Sequence, residues 1–184
     1  MGHDAARRWT ADEFLRLPED TRRVELLDGE IVVTTPVVHH QRVVMRLGSA
    51  LVSYLSTRGG EVFNVNVDIR IDELNVVQPD VQLFLPEHLD RIGRKRVEGP
   101  PDLAVEVSSP STKGVDRIRK RALYERFGVA EFWIVDLDND VLEAYRLVDG
   151  AYAAPERFGR GDTVSTPLLP GWTAEFDRLV PLED

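Results

Sequence analysis

The sequence contains no cysteine, which excludes disulfide bonds and thiolate metal sites. It has no apolar run near the roughly 20 residues that a membrane-spanning helix needs, and its first residues lack the apolar core of a secretory signal. The chain is therefore predicted to be cytoplasmic and not bound to a membrane. No repeat or low-complexity linker interrupts it, so residues 1–184 are predicted to form a single domain.

Acidic residues outnumber basic ones overall, and the net charge is −9. This balance argues against loose, non-specific binding to nucleic acid. Residues 91–126 differ, because they contain ten Lys or Arg and only five acids. Such a stretch indicates either a surface that faces a polyanion or a solvated helix face beside a charged loop, and the second arrangement is the commoner one.

Turn and capping signals predict the helices and one hairpin. The spacing of Thr10 and Glu13 is that of a capping box, and Asp28-Gly29 readily supplies the positive φ of a tight hairpin turn. The predicted elements are a short helix from Ala11 to Leu17, a hairpin over residues 23–36, a long amphipathic helix that ends at Gly59-Gly60, and a helix over residues 115–129 that ends at Gly128.

Apolar alternation predicts the strands. The predicted strands are residues 61–71, two central strands within residues 76–85 and 102–109, a pair at 131–137 and 141–147 joined by a turn, and strand fragments in the tail from residue 151. Strands mixed with helices in this order favour an α/β fold. The fold is predicted to be a mixed central β-sheet flanked by helices, with an extra N-terminal hairpin and extra C-terminal strands.

Three carboxylates interrupt apolar strand sequences: Glu25, Asp80 and Glu106. Each alone is explained equally well as a strand-end acid in solvent. Pro79 strengthens the case for Asp80, because proline marks an edge, bulge or kink at which the next side chain can be re-aimed. If the three acids converge, their repulsion requires a nearby cation, and oxygen-only ligands of this kind suit Mg²⁺ or Mn²⁺.

Lys120 lies at helical spacing from Leu123, Tyr124 and Phe127, so this lysine is predicted to face the sheet. One interpretation is a lysine whose stem merely covers apolar surface. The other is a cation that orients an attacking water or offsets the charge of a phosphate beside a metal ion.

Four motifs in order, "ELLDGEIV", "PDV", "EVSSPST" and "DRIRKRALYERFGVAEFWIVD", resemble the Uma-two family of restriction endonuclease-like proteins, a branch of the PD-(D/E)XK nuclease superfamily. The resemblance extends from Glu25 to Leu147, and "PLLPGW" fits the family's ending. It implies a restriction endonuclease-like core in which Asp80 and Glu106 bind the metal. It also implies that Glu25 is an additional acid near the site and Lys120 the catalytic lysine.

The superfamily usually places its lysine two residues after the second acid, where this chain has Ser108. The resemblance implies that the lysine has moved to the following helix, at Lys120, and Lys113 is a second candidate. His40 matches a histidine common in the family and is predicted either to touch the site or to be structural. Gln78 could contact water or phosphate.

The sequence therefore predicts a Mg²⁺- or Mn²⁺-dependent endonuclease that hydrolyses DNA phosphodiester bonds. Its predicted site residues are Glu25, Asp80, Glu106 and Lys120, with Asp80 and Glu106 as the metal ligands. The alternative is a non-catalytic binding or scaffold protein that retains the nuclease fold. By analogy with nucleases that cut both strands, a homodimer is predicted. Asp136, at the end of a strand, is predicted to cap a turn.

Overall fold

The computed structural model describes residues 7–18, 23–34, 38–64, 67–108 and 114–183. The helices are α1 (Ala11–Phe14), α2 (Val38–Leu55), a 3₁₀ helix (Pro86–Arg91), a π-helix (Val115–Lys120), α3 (Arg121–Arg126) and α4 (Phe176–Leu179). The strands are β1 (Arg23–Leu27), β2 (Glu30–Thr34), β3 (Glu61–Phe63), β4 (Ile69–Arg70), β5 (Val76–Val77), β6 (Val81–Phe84), β7 (Val97–Glu98), β8 (Leu103–Ser108), β9 (Glu131–Asp136), β10 (Val141–Val148), β11 (Ala151–Tyr152), β12 (Glu156–Phe158), β13 (Thr163–Ser165) and β14 (Thr173–Glu175).

The strands form two main sheets and a hairpin. One sheet has the order β2-β1-β5-β4-β7, and the other has the order β11-β10-β9-β8-β6-β3 with β12 paired to β10. Strands β8 and β9 run parallel, which requires a crossover connection, and the π-helix and α3 lie in that connection. The predicted mixed sheet with flanking helices, the N-terminal hairpin and the C-terminal strands are all present.

The predicted strand over residues 61–71 is wrong. Strand β3 ends at Phe63 and pairs with β6 in the larger sheet, whereas β4 begins at Ile69 and pairs with β5 and β7 in the smaller sheet. The segment thus passes from one sheet to the other. Apolar alternation reports which side chains are buried, but it carries no information about which strand is the partner.

The apolar run at residues 76–85 is likewise divided between the two sheets. Strand β5 ends at Val77 and β6 starts at Val81, so Pro79 and Asp80 lie at the junction between the sheets. Proline has no N–H to donate to a strand ladder, which accounts for the break at this position. Asp80 therefore takes part in neither the β5 nor the β6 strand pairing.

Helices cover both faces of the larger sheet. Residues of α2, including Val43 and Leu47, share a core with Val105 and Val107 of β8. On the opposite face Leu123 and Tyr124 of α3 share a core with Ala104 of β8 and Phe132 of β9. In the sequence Glu106 stands between Val105 and Val107, and period-two alternation predicts that it lies on the face opposite these valines; that face is the one that α3 covers.

The crossover helix differs from the regular helix predicted for residues 115–129. Its first part is a π-helix, and α3 ends at Arg126 before Gly128, whose φ of +74° closes the helix as predicted. Lys120 is buried where the π-helix meets α3, whereas Ile118 is 72% exposed. Within the described ranges, no helix has the length and apolar character needed to cross a membrane.

Candidate active site

Glu25 lies in the middle of β1, between β2 and β5, and its side chain is fully buried. Its Oε1 accepts a hydrogen bond of 2.7 Å from the backbone N–H of Gln78, just after β5. Its Oε2 lies 2.8 Å from Nζ of Lys120. That second contact is an ion pair without hydrogen-bond alignment. The lysine thus supplies the opposite charge that a carboxylate in a buried strand needs.

Lys120 joins Glu25 to the acid on β8. Its Nζ lies 2.9 Å from Oε1 of Glu106 and donates a hydrogen bond to it. The hydroxyl of Tyr124, one helical turn further along, donates a second hydrogen bond of 3.0 Å to the same oxygen. Glu25 belongs to the smaller sheet and Glu106 to the larger one, so Lys120 connects the two sheets through charge.

Asp80 lies beside these residues at the junction of the sheets. Its Oδ2 accepts a hydrogen bond of 2.7 Å from the backbone N–H of Val107, next to Glu106, and lies 3.1 Å from Nε2 of His40. The His40 ring is itself buried near the start of α2. Strand β8 and helix α2 therefore fix the position of this carboxylate.

Arg23 completes the arrangement from β1. Its guanidinium forms an ion pair with Oδ1 of Asp80, donates to the carbonyl oxygen of Gln78, and has Nη2 3.5 Å from Oε2 of Glu106. Arg23, Glu25, Asp80, Glu106 and Lys120 form a buried charge cluster in which no member is more than 9% exposed. The cluster contains three carboxylates and two cations.

The charge cluster alters the pKa values of its members. Burial would raise the pKa of Asp80, but the charge of Arg23 and the hydrogen bonds from His40 and Val107 outweigh burial and hold this pKa below its ordinary value. Asp80 is therefore ionised at neutral pH. Burial, and then the negative charges of Glu106 and Glu25, raise the pKa of Tyr124 well above its ordinary value. Tyr124 therefore remains a neutral hydroxyl that can donate to Glu106.

The four predicted site residues come together in this cluster, although they are far apart in the sequence. Lys120 contacts Glu25 and Glu106 directly, and Asp80 is linked to Glu106 through Arg23 and through the amide of Val107. Their catalytic and metal-binding roles remain predictions. The other candidate lysine, at position 113, lies outside the described residues.

Three other polar residues are now placed. His40 contacts Asp80, and whether it serves the site or is structural stays a prediction. The side chain of Gln78 donates to Oδ1 of Asp68 at 2.8 Å, and its backbone N–H and carbonyl oxygen contact Glu25 and Arg23. Asp136 caps a turn as predicted, since it accepts from the amides of the residues that follow it. Asp136 also accepts a hydrogen bond of 2.8 Å from Arg117.

Sequence reasoning missed Arg23 and Tyr124. A signal for Arg23 was present, because it lies two residues before Glu25 in the same strand and period-two alternation puts both side chains on one face. Tyr124 lies four residues after Lys120, at the spacing that places two side chains on one helical face. In both cases the missed residue lies on the same face of the same element as a predicted site residue.

The residues present suit a hard divalent ion in their chemistry. Asp80 and Glu106 offer carboxylate oxygens, and Mg²⁺ commonly binds through one or two protein carboxylates while keeping several waters. Among the residues that the structure describes, no group of three or more His, Cys, Asp or Glu is arranged as a metal site. Both carboxylates also contact Arg23. The two carboxylates are of the chemical type that Mg²⁺ or Mn²⁺ prefers, and in this structure Arg23 is their shared cation.

Most of the basic stretch at residues 91–126 is engaged within the protein. Seven of its ten cations have described partners: Arg91 with the Pro100 carbonyl, Arg96 with Glu98, Arg117 with Asp136 and Glu143, Arg119 with Glu30, Lys120 in the charge cluster, Arg121 with the ring of Tyr145, and Arg126 with Asp28. These pairings favour the commoner interpretation of the stretch, a paired helix face and loop, over a broad polyanion-binding surface.

Two sheets, flanking helices and acids at the junction of the sheets define a restriction endonuclease-like α/β protein. The fold is similar to the crystal structure of "a putative nuclease belonging to DUF820" from Anabaena variabilis, with a TM-score of 0.79 and 21% sequence identity over 93% of this chain and 97% of that one. A family model described as "Uma2: Putative restriction endonuclease" matches residues 11–179. This chain therefore belongs to the Uma2 family, which confirms the resemblance of its motifs. No curated protein matches the sequence significantly.

Proposed function

We propose that this protein is a Mg²⁺- or Mn²⁺-dependent endonuclease that hydrolyses DNA phosphodiester bonds. The observation that supports this proposal is the buried contact of Lys120 with Glu25 and Glu106, next to Asp80. A lysine and three acids brought together from distant parts of the chain are costly to bury unless their charges are matched. Their occurrence in a family described as a restriction endonuclease favours a catalytic use.

Asp80 and Glu106 would hold the divalent ion, which supplies Lewis-acid stabilisation of phosphoryl charge and a bound water of lowered pKa. Lys120 would hold its ammonium next to the reacting phosphate and offset the negative charge that develops there. Glu25 would hold the ammonium of Lys120 in place through its opposite charge, because its Oε2 lies 2.8 Å from Nζ. Tyr124 fixes the orientation of Glu106 through its hydrogen bond.

A second candidate function is a non-catalytic binding or scaffold role. The observation that favours it is Arg23, which already neutralises Asp80 and contacts Glu106. In this arrangement the charge cluster holds the two sheets together without any ion. The two functions differ in whether a divalent ion binds at the acids and whether DNA is cut.

The decisive experiment incubates supercoiled plasmid DNA with the protein in Mg²⁺, in Mn²⁺ and in EDTA. We compare the wild type with Lys120→Met, which removes the charge, and with Lys95→Met, the same substitution at an exposed lysine. Circular dichroism establishes that each variant is folded. Metal-dependent nicking that Lys120→Met loses and Lys95→Met retains supports the endonuclease. Absent nicking by the wild type, or equal nicking by wild type and Lys120→Met, contradicts it.

The domain organisation, location and oligomeric state of the enzyme are also proposed. We propose that residues 1–184 act as one domain in the cytoplasm and that the protein is a homodimer, since two active sites are needed to cut two antiparallel strands in one encounter. Sedimentation equilibrium tests the dimer directly: a mass of 20.8 kDa at micromolar concentration would show that the protein acts as a monomer.

A further inference from the structure

Arg23 contacts the same two carboxylates that are proposed to bind the metal. Its guanidinium pairs with Oδ1 of Asp80, and Nη2 lies 3.5 Å from Oε2 of Glu106. Nη2 also donates to the carbonyl oxygen of Gln78, next to the break between the sheets. One buried cation thus lies against both acids.

This cation cannot be removed by deprotonation. Arginine stays protonated in proteins, and this guanidinium lies directly against Asp80 and Glu106. A divalent ion that approaches Asp80 and Glu106 therefore meets a permanent positive charge at the same oxygens. The two cations repel each other in an interior where such repulsion is poorly screened.

The polar contacts of Arg23 are all made by its two terminal nitrogens. The guanidinium is held through its two terminal nitrogens, whereas its buried Nε has no hydrogen-bond partner among the described residues. A shift of the guanidinium would break its contacts with Asp80, Glu106 and the Gln78 carbonyl, and it would lose no bond at Nε. The acids would then retain Lys120 and the Val107 amide as partners.

We infer that Arg23 is a built-in competitor of the divalent ion, bridging Asp80 and Glu106 in the metal-free protein and giving way when the ion binds. This inference rests on the proposed function, because it requires the ion to bind at these two acids. Arg23 then has two effects. It keeps the acids neutralised when no ion is present, and it weakens the affinity for the ion.

The test measures Mn²⁺ binding by isothermal titration calorimetry and by electron paramagnetic resonance, without reference to cleavage. We compare the wild type with Arg23→Gln, which removes the charge, and with Arg23→Lys, which keeps the charge on a shorter group with fewer donors. Arg70→Gln is the matched control, because it makes the same substitution in the same sheet at an arginine that pairs with Asp12.

Arg23→Gln is expected to bind Mn²⁺ at least about tenfold more tightly than the wild type, the gain expected when one charge-assisted contact no longer competes. Arg23→Lys should lie between the two, and Arg70→Gln should equal the wild type. Unchanged or weaker binding by folded Arg23→Gln overturns the inference.

Arg23→Gln could be unstable, because the substitution leaves three buried carboxylates with Lys120 as their remaining partner within the cluster. A second measurement therefore covers that case. Thermal unfolding is measured in EDTA and in Mn²⁺. Mn²⁺ should raise the melting temperature of Arg23→Gln more than that of the wild type, and it should restore a cooperative transition if EDTA abolishes one. Failure of Mn²⁺ to do either contradicts the inference.

Asp80→Asn separates failure of this inference from failure of the proposed function. Mn²⁺ binding by the wild type that Asp80→Asn abolishes, combined with no effect of Arg23→Gln, contradicts the role of Arg23 and leaves the metal site standing. Absence of Mn²⁺ binding in every variant contradicts the metal-dependent function, and the role of Arg23 falls with it.

Discussion

The Nζ atom of Lys120 lies 2.9 Å from Oε1 of Glu106, and both side chains are 2% exposed. The lysine reaches the acid from the crossover helix, fourteen residues later in the chain. In the PD-(D/E)XK pattern that this chain resembles, the lysine instead lies two residues after the acid, where this chain has Ser108. A cation from the helix thus occupies the side of Glu106 that α3 covers.

Replacing Lys120 with methionine should destabilise the fold. Glu25 and Glu106 would then face each other in the interior, and breaking a buried pair by removing one partner costs about 3–5 kcal/mol. Adding Glu25→Gln to Lys120→Met should recover part of this loss, because one buried charge disappears. Urea unfolding of the two single variants and the double variant measures the coupling, and strictly additive losses would show that the ion pair carries no energy of its own.

Arg117 should position Lys120 without contacting it. Arg117 lies in the π-helix and pairs with Asp136 and Glu143 of β9 and β10, which fixes the helix against the larger sheet. Arg117→Gln is expected to lower the free energy of unfolding by about 1.5 kcal/mol, the lower end of the range for hydrogen bonds to charged groups, because Arg117 is partly exposed and water screens its charge. It should also reduce kcat for nicking by more than it changes KM, and Arg117→Lys should restore part of the kcat.

The contribution of Asp80 to stability should depend on pH. Because the pKa of Asp80 is lowered in the folded protein, its stabilising contribution is present above the ordinary pKa of 3.8 and is lost as the pH falls toward the folded value. In EDTA, the difference in unfolding free energy between the wild type and Asp80→Asn should therefore narrow from pH 7 to pH 3. Asp90→Asn, at an exposed acid, controls for the loss of one charge. A difference that stays constant with pH contradicts this prediction.

Gly48 should not tolerate alanine, although alanine is the better helix former by about 1 kcal/mol. Gly48 is buried in α2, and a Cβ atom there would lie 2.6 Å from Nδ2 and 2.8 Å from Cβ of Asn64. Overpacking of this kind costs about 1–3 kcal/mol, so Gly48→Ala should lower the melting temperature. Ser49→Ala, at the next and exposed position of the same helix, is the control. An unchanged melting temperature for Gly48→Ala would show that Asn64 can move aside.

Local periodicity was sufficient to predict much of the fold. The helical stripe of Lys120 and the alternation around Glu106 report burial from neighbouring residues alone, and both side chains lie on the predicted faces. The π-helix was not predictable, because its wider turn leaves no distinct apolar pattern. The division of residues 61–71 between two sheets was also missed, because strand partners are set by contacts across the whole chain.

The candidate site was partly predictable, because local sequence patterns show which strand positions are buried. Glu25, Asp80 and Glu106 stood out as acids in apolar strands, and family resemblance supplied the grouping. The role of Arg23 was not predictable, because alternation gives its face but not the distance to Asp80, which is 57 residues away in the chain. Only the packing of the two sheets shows that one guanidinium meets two acids.

The side chains that are proposed to cut DNA also hold the two sheets and the crossover helix together. A lineage that ceased to cut nucleic acid would still need these charges, because losing any one of them would leave the others buried without an opposite charge. The presence of these acids in a homologue therefore indicates common ancestry and a need to hold the sheets together. Cleavage of nucleic acid has to be demonstrated separately for each homologue.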